Sequence, residues 1–179
     1  MSYKSSDAND AQNNKIQDLI EISKNEPYWN FYGEKLIDSD IELIANELIQ
    51  GYRNCQTLDL FKNKITSKGA VYLSEMLKVD GTLRILNLRW NQIDDDGAKS
   101  LFNVLKDENR TLERLHLDLN QITDKSVDSI LEMINRNRTL TLLILTDNQI
   151  SEDNQRQLEK AGQLREPSAL DVRFCSIFL

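Results

Sequence analysis

Two hydrophobic rhythms alternate along this chain and hand over to each other every 28 or 29 residues. In the first, apolar side chains fall on every second position: Leu58 and Leu60, Leu86 and Leu88, Leu115 and Leu117, Leu143 and Leu145. A period of two belongs to a strand with one buried face, so each pair predicts a short strand. In the second, apolar residues recur at helical spacing: Val71, Leu73, Met76 and Leu77; Ala98, Leu101, Phe102 and Leu105; Val127, Ile130, Leu131 and Ile134. An earlier stripe, Ile41, Ile44, Ala45, Leu48 and Ile49, follows the capping oxygens of Asp38-Ser39-Asp40 and predicts the helix of a first repeat. Asn63, Asn91, Asn120 and Asn148 close the strands at intervals of 28, 29 and 28 residues and set the period.

Each unit is therefore strand, loop, helix. Ala45, Leu73, Leu101, Ile130 and Leu158 share one repeat position, and Ile49, Leu77, Leu105 and Ile134 another, so these rows must stack into a continuous wall. Strands joined by right-handed crossovers pair in parallel, and a helical side wider than the strand side makes the stack curve. The expected fold is α/β, a short horseshoe with parallel concave strands and convex helices, capped at both ends. The asparagines at 63, 91, 120 and 148 read as a structural ladder, because a side-chain amide donates to and accepts from backbone groups that a turning chain leaves unpaired.

The ends depart from the period. Residues 1–14 are mostly Ser, Asp, Asn and Gln and predict a disordered leader. Residues 15–36 predict an N-terminal cap: Ile16, Leu19 and Ile20 at helical spacing, a stop before Pro27, then Tyr28, Trp29, Phe31 and Tyr32. Counting back 28 residues lands on Tyr32 from Leu60 and on Ile37 from Ile65. Trp29 and Phe31 suit either core capping or partner contact. The repeats occupy 37–164 and decay in the last helix, where Gln155 and Gly162 stand at apolar positions, before Pro167. In 165–179, Val172 and Phe174 lie 29 residues after Leu143 and Leu145, which predicts a capping strand. The tail Ile177-Phe178-Leu179 either closes the end of the stack or docks elsewhere.

At 179 residues the chain suits one domain. A formal net charge of −7 argues against a phosphate-binding surface, so no nucleic-acid partner is expected. No apolar run approaches the length of a membrane span and the N-terminus lacks an apolar signal core, so no membrane association is expected and a cytoplasmic location is. Cys55 occupies the position filled later by Leu83, Leu112 and Leu140 and reads as a buried hydrophobe; Cys175 stands one place too early for prenylation.

The order Leu-x-x-Leu-x-Leu-x-x-Asn-x-Ile, continued into a helix and repeated over about Ile37 to Leu164, resembles the leucine-rich repeat family in its ribonuclease-inhibitor-like subclass. The resemblance implies an α/β horseshoe that binds proteins through its concave strand face. It also implies an alternative, regulation of a small GTPase as by the similar repeats of the Ran GTPase-activating protein, or a bacterial effector or scaffold built on the same unit. Asn at every ladder position, where the ribonuclease inhibitor alternates with Cys, leaves inhibition of ribonucleases unsupported.

Register assigns the outward strand positions to rows: Thr57, Ile85, Arg114 and Leu142; Asp59, Asn87, His116 and Ile144; Phe61, Arg89, Asp118 and Thr146; Lys62, Trp90, Leu119 and Asp147. Exposed aromatic and apolar groups beside Arg89, Asp118 and Asp147 have the anchor-and-rim composition of an interface. The candidate partner-binding residues are Asp59, Phe61, Ile85, Asn87, Arg89, Trp90, His116, Asp118, Leu119, Ile144, Thr146 and Asp147, and the expected partner is a protein bound by a monomer. No catalytic residue, metal or cofactor is expected. His116 has no nucleophile beside it, and Asp94-Asp95-Asp96 stands where Thr66-Ser67 and Thr123-Asp124 precede helices, which is N-capping rather than a cation site. Asn109-Arg110-Thr111 and Asn137-Arg138-Thr139 match a glycosylation acceptor only because the repeat reuses one turn.

Overall fold

A computed structural model describes residues 4–51, 54–165 and 168–174. Among these residues six short strands form one parallel sheet in sequence order: β1 (Tyr28–Asn30), β2 (Thr57–Asp59), β3 (Ile85–Asn87), β4 (Arg114–His116), β5 (Leu142–Ile144) and β6 (Asp171–Arg173). Helices α1 (Lys4–Ser23), α2 (Asp38–Gln50), α3 (Ser67–Val79), α4 (Asp95–Asp107), α5 (Val127–Arg136) and α6 (Glu152–Gln163) alternate with them. Neighbouring helices pack on one another in order, so the molecule is an open α/β horseshoe with one continuous core between its two layers.

The core follows the two rhythms. Leu58, Leu86, Leu115, Leu143 and Val172 are paired across consecutive strands and all are buried. Cys55 is buried with them, and burial, ahead of the nearby Asp80 charge, pushes its thiol up to about 12, which makes it inert.

The asparagine at the end of each strand interlocks two repeats. Asn120 Nδ2 donates to the carbonyls of Leu117 in its own repeat (3.0 Å) and Leu88 in the one before (2.9 Å), while its Oδ1 accepts from Ile93 N–H (3.0 Å). Asn91 does the same to Leu88, Leu60 and Ile65, Asn63 to Leu60, Phe31 and Leu36, and Asn148 to Leu145, Leu117 and Ile122.

A second amide series runs at the opposite end of the strands. Asn109 donates to Leu77 O (2.9 Å) and accepts from Thr111 and Leu112 N–H, and Asn137 donates to Leu105 O (2.7 Å) and accepts from Thr139 and Leu140 N–H. Both are buried, so the two glycosylation-like triplets hide their acceptor amides. Twenty-eight residues later Arg165 takes over, buried and donating to the carbonyls of Asn137, Leu140 and Ser168. Burial, ahead of the charge of Arg138, pulls its guanidinium down.

Asp94 caps α4 by accepting from Asp96 N–H (3.0 Å) and bonds the Ser67 hydroxyl of the preceding repeat, which is the main reason its carboxyl lies low. Asp95 braces the following repeat instead, accepting from Thr123 N–H (2.9 Å), the Thr123 hydroxyl (2.7 Å) and the Ser126 hydroxyl (2.5 Å). Burial pushes the Asp95 carboxyl up, and these hydroxyls outweigh it.

Three expectations need correction at the N-terminus. Where a disordered leader was expected, α1 begins at Lys4 and runs unbroken to Ser23, with Ile16 and Ile20 buried. Within the expected cap, Tyr28–Asn30 is a full strand of the sheet, with Trp29 and Phe31 buried in an edge-to-face pair at 6.0 Å. The first repeat is also offset by 29 residues and not 28: Trp29 pairs with Leu58, and Leu36 makes the asparagine contact that Ile65 makes one repeat later. Leu36 and Leu48 are therefore buried, while Ile37 and Ile49 stay 47% and 42% exposed, and the row carrying Leu77 continues into Leu48. Val71 is likewise off the buried stripe, its place taken by Ala70.

At the other end Gly162 allows α6 to meet the last strand, since a Cβ there would lie 2.4 Å from the Leu170 carbonyl. Pro167, Cys175 and the Ile177-Phe178-Leu179 end lie outside the described residues.

Candidate functional site

The strands expose their alternate side chains on the concave face, and β2 to β5 each then enter a turn that adds two more residues to that side before its asparagine. The second of these is always left-handed: Lys62, Trp90, Leu119 and Asp147 have φ of 57°, 53°, 57° and 56°, with Gly33 at 70° in the first repeat. A left-handed residue with a Cβ costs about 1–2 kcal/mol, so Trp90 and Leu119 are not there for backbone comfort. Trp90 is 50% exposed.

Three rings from consecutive repeats lie side by side. Tyr32 and Phe61 centroids are 5.0 Å apart, and Phe61 and Trp90 6.1 Å. The Lys62 ammonium sits 4.8 Å above the Trp90 ring and the Arg89 guanidinium 5.3 Å above Phe61. Arg89 Nε is 2.9 Å from Asp118 Oδ2. Asp118 is only 5% exposed, and burial pushes its carboxyl up against the pull of Arg89.

Beneath this row a polar rung crosses the first three strands. Asp59 accepts from the Tyr28 hydroxyl (3.0 Å), from Asn87 Nδ2 (3.1 Å) and from Phe61 N–H (3.0 Å), and Asn87 Oδ1 accepts from Arg89 N–H (3.1 Å). Asp59 and Asn87 thus hold the backbone that carries Phe61 and Arg89. Further along, His116 Nε2, Asp118 Oδ1 and Thr146 Oγ1 are buried without a hydrogen-bond partner on the floor of β4 and its neighbouring turns. Burial, then the Arg114 charge, pulls the His116 imidazole down, which keeps it neutral.

The residues singled out by register divide into two groups. Phe61, Arg89, Trp90 and Asp118 meet in one cluster, with Asp59 and Asn87 supporting it. Ile85 and Ile144 are half-buried in the strand rows, while Thr146 is buried and Asp147 exposed at the β5 end, apart from the rings. Leu119 is half-buried beside Trp90 in the left-handed row. Tyr32 and Lys62 are the members left out of the candidate set, although register had put Lys62 in the outward row of Trp90. Tyr32 carries its own signal, a 29-residue step to Phe61, hidden by counting 28. Among the described residues no group of three His, Cys, Asp or Glu side chains could hold a metal ion, and no helix is long and apolar enough to cross a membrane.

A family model described as Leucine Rich repeat matches residues 56–74, 82–102, 108–131 and 136–153, four segments that each open ahead of one strand of the sheet. The chain is a leucine-rich repeat protein. Its helix in every repeat places it in the ribonuclease-inhibitor-like subclass. Mouse NACHT, LRR and PYD domains-containing protein 4B is 30% identical over 66% of this chain, and pig ribonuclease inhibitor 27% identical over 75%. The chain spans 14% of the first protein's length and 29% of the second's. The solved structure of leiomodin-1 actin-binding site 2 has the same fold, with a TM-score of 0.64 at 22% identity over 73% of this chain and 77% of that one. Leucine-rich repeats of this kind are protein-interaction modules.

Proposed function

We propose that this leucine-rich repeat protein is non-catalytic and holds a protein partner on the concave face of its first four repeats, with Trp90 and Phe61 as the anchors and Asp59, Asn87, Arg89 and Asp118 as the frame that positions them. The observation that carries this reading is the row of rings from Tyr32 to Trp90, the last of them half exposed on a left-handed turn residue where a glycine would cost the backbone less. Aromatic groups beside arginine dominate the binding energy of protein interfaces. The ribonuclease inhibitor, a relative, is named for a protein it engages. In the same reading the protein acts as a cytoplasmic monomer. Proximity capture in cells with the wild type, W90A and F61A tests it against V71S on the convex side. Partners lost with both concave variants and kept with V71S, all four proteins giving the same circular dichroism, are the expected result; partners indifferent to W90A and F61A overturn it.

A further inference from the structure

The aromatic row carries charge of one sign in a chain with the opposite excess. Acidic residues outnumber basic ones 29 to 22, yet the turns that bracket the rings present Lys35, Lys62 and Lys64. All three are exposed, and none has a carboxylate within 4 Å among the described residues. Lys62 lies over Trp90, so its ammonium and the ring offer one combined surface. Arg89, the next cation, is already engaged by Asp118. Three repeats further on, the position of Lys62 is taken by Asp147. The rings over β2 and β3 are therefore flanked by exposed lysines, while the far end of the face mixes Arg114 with Asp147.

We propose that the occupant is a protein segment in which a carboxylate side chain stands within one or two residues of a large apolar side chain. The apolar group lies on Trp90 and Phe61. The carboxylate is taken by Lys62, with Lys35 and Lys64 extending the attraction. This choice of partner rests on the concave face being the binding surface, and it fails separately from that reading.

The test is a random peptide library displayed on phage and panned against the immobilised full chain, followed by fluorescence anisotropy of the selected peptides. The expected result is enrichment of Asp or Glu next to Leu, Phe or Trp, with binding about tenfold weaker to K62E, restored in K62R and weakened by salt. Replacing the peptide's Asp or Glu by Lys should recover binding to K62E. Selected peptides that need Trp90 but show no acidic preference, or that bind K62E as well as wild type, overturn the inference and leave the concave-face reading standing. Peptides that bind W90A unchanged, or a library that yields no binder, overturn both.

Discussion

Removing one rung of the asparagine ladder should cost an amount set by which backbone groups lose their last partner. In N120A the carbonyls of Leu88 and Leu117 each lose a donor, but Leu88 O keeps Asn91 at 3.0 Å and Leu117 O keeps Asn148 at 2.9 Å. Ile93 N–H, fully buried, loses the acceptor it held at 3.0 Å. A buried donor left unpaired costs about 1–3 kcal/mol and a weakened but surviving contact much less, so N120A should lose about 3 kcal/mol. The first rung differs. Asn63 alone serves both Leu36 N–H (2.9 Å) and the Phe31 carbonyl (2.9 Å) among the described residues, because no earlier asparagine shares the load. N63A leaves two buried groups unpaired and should lose about 4–5 kcal/mol. Urea unfolding followed by circular dichroism measures both, with an unchanged slope confirming that the same surface is exposed. A loss below about 1 kcal/mol for N120A, or a smaller loss for N63A than for N120A, would refute the interlocking account.

Three further outcomes follow from other sites. His116 has a folded-state pKa below its ordinary 6.5, so the unfolded chain binds the proton more readily; the stability it contributes is complete above 6.5 and is lost as pH falls through the folded value. H116Q should flatten that part of the profile between about pH 7.5 and about pH 5, and an unchanged difference between the two proteins across this range would contradict it. G162A should lose about 1–3 kcal/mol, because its methyl must push the Leu170 carbonyl aside from 2.4 Å, and faster amide exchange at β6 would report where the damage lies. T146V removes a buried hydroxyl that has no partner and should gain about 1 kcal/mol in the same urea assay; a clear loss would show that the hydroxyl is satisfied in solution.

The repeats from β2 to α5 were legible because Leu, Asn and Ile recur at one spacing and nothing nearby competes with them. At the first repeat two apolar residues stand side by side, Leu36 with Ile37 and Leu48 with Ile49, so hydrophobicity alone accepts either register. Only the pairing of Trp29 with Leu58 decides it. Arg165 was illegible for a different reason: its charge marks it as a surface residue, while its burial depends on carbonyls gathered from 137, 140 and 168. At the candidate site, register put Phe61, Arg89 and Trp90 in adjacent rows. It did not show that Asp118 and Thr146 would be covered, since that depends on how neighbouring side chains lie. The left-handed row was also hidden, because Trp and Leu are residues that local preference would keep out of such a conformation.

That row has an evolutionary consequence. At Lys62, Trp90, Leu119 and Asp147 the turn and its asparagine dictate the backbone, and a cation, an indole, a branched alkyl group and a carboxylate have all been accommodated within one chain. Mutation there changes what the molecule displays while the backbone angle of display stays constant. A descendant could acquire a new specificity one codon at a time, risking no more than about 1–2 kcal/mol of stability per step.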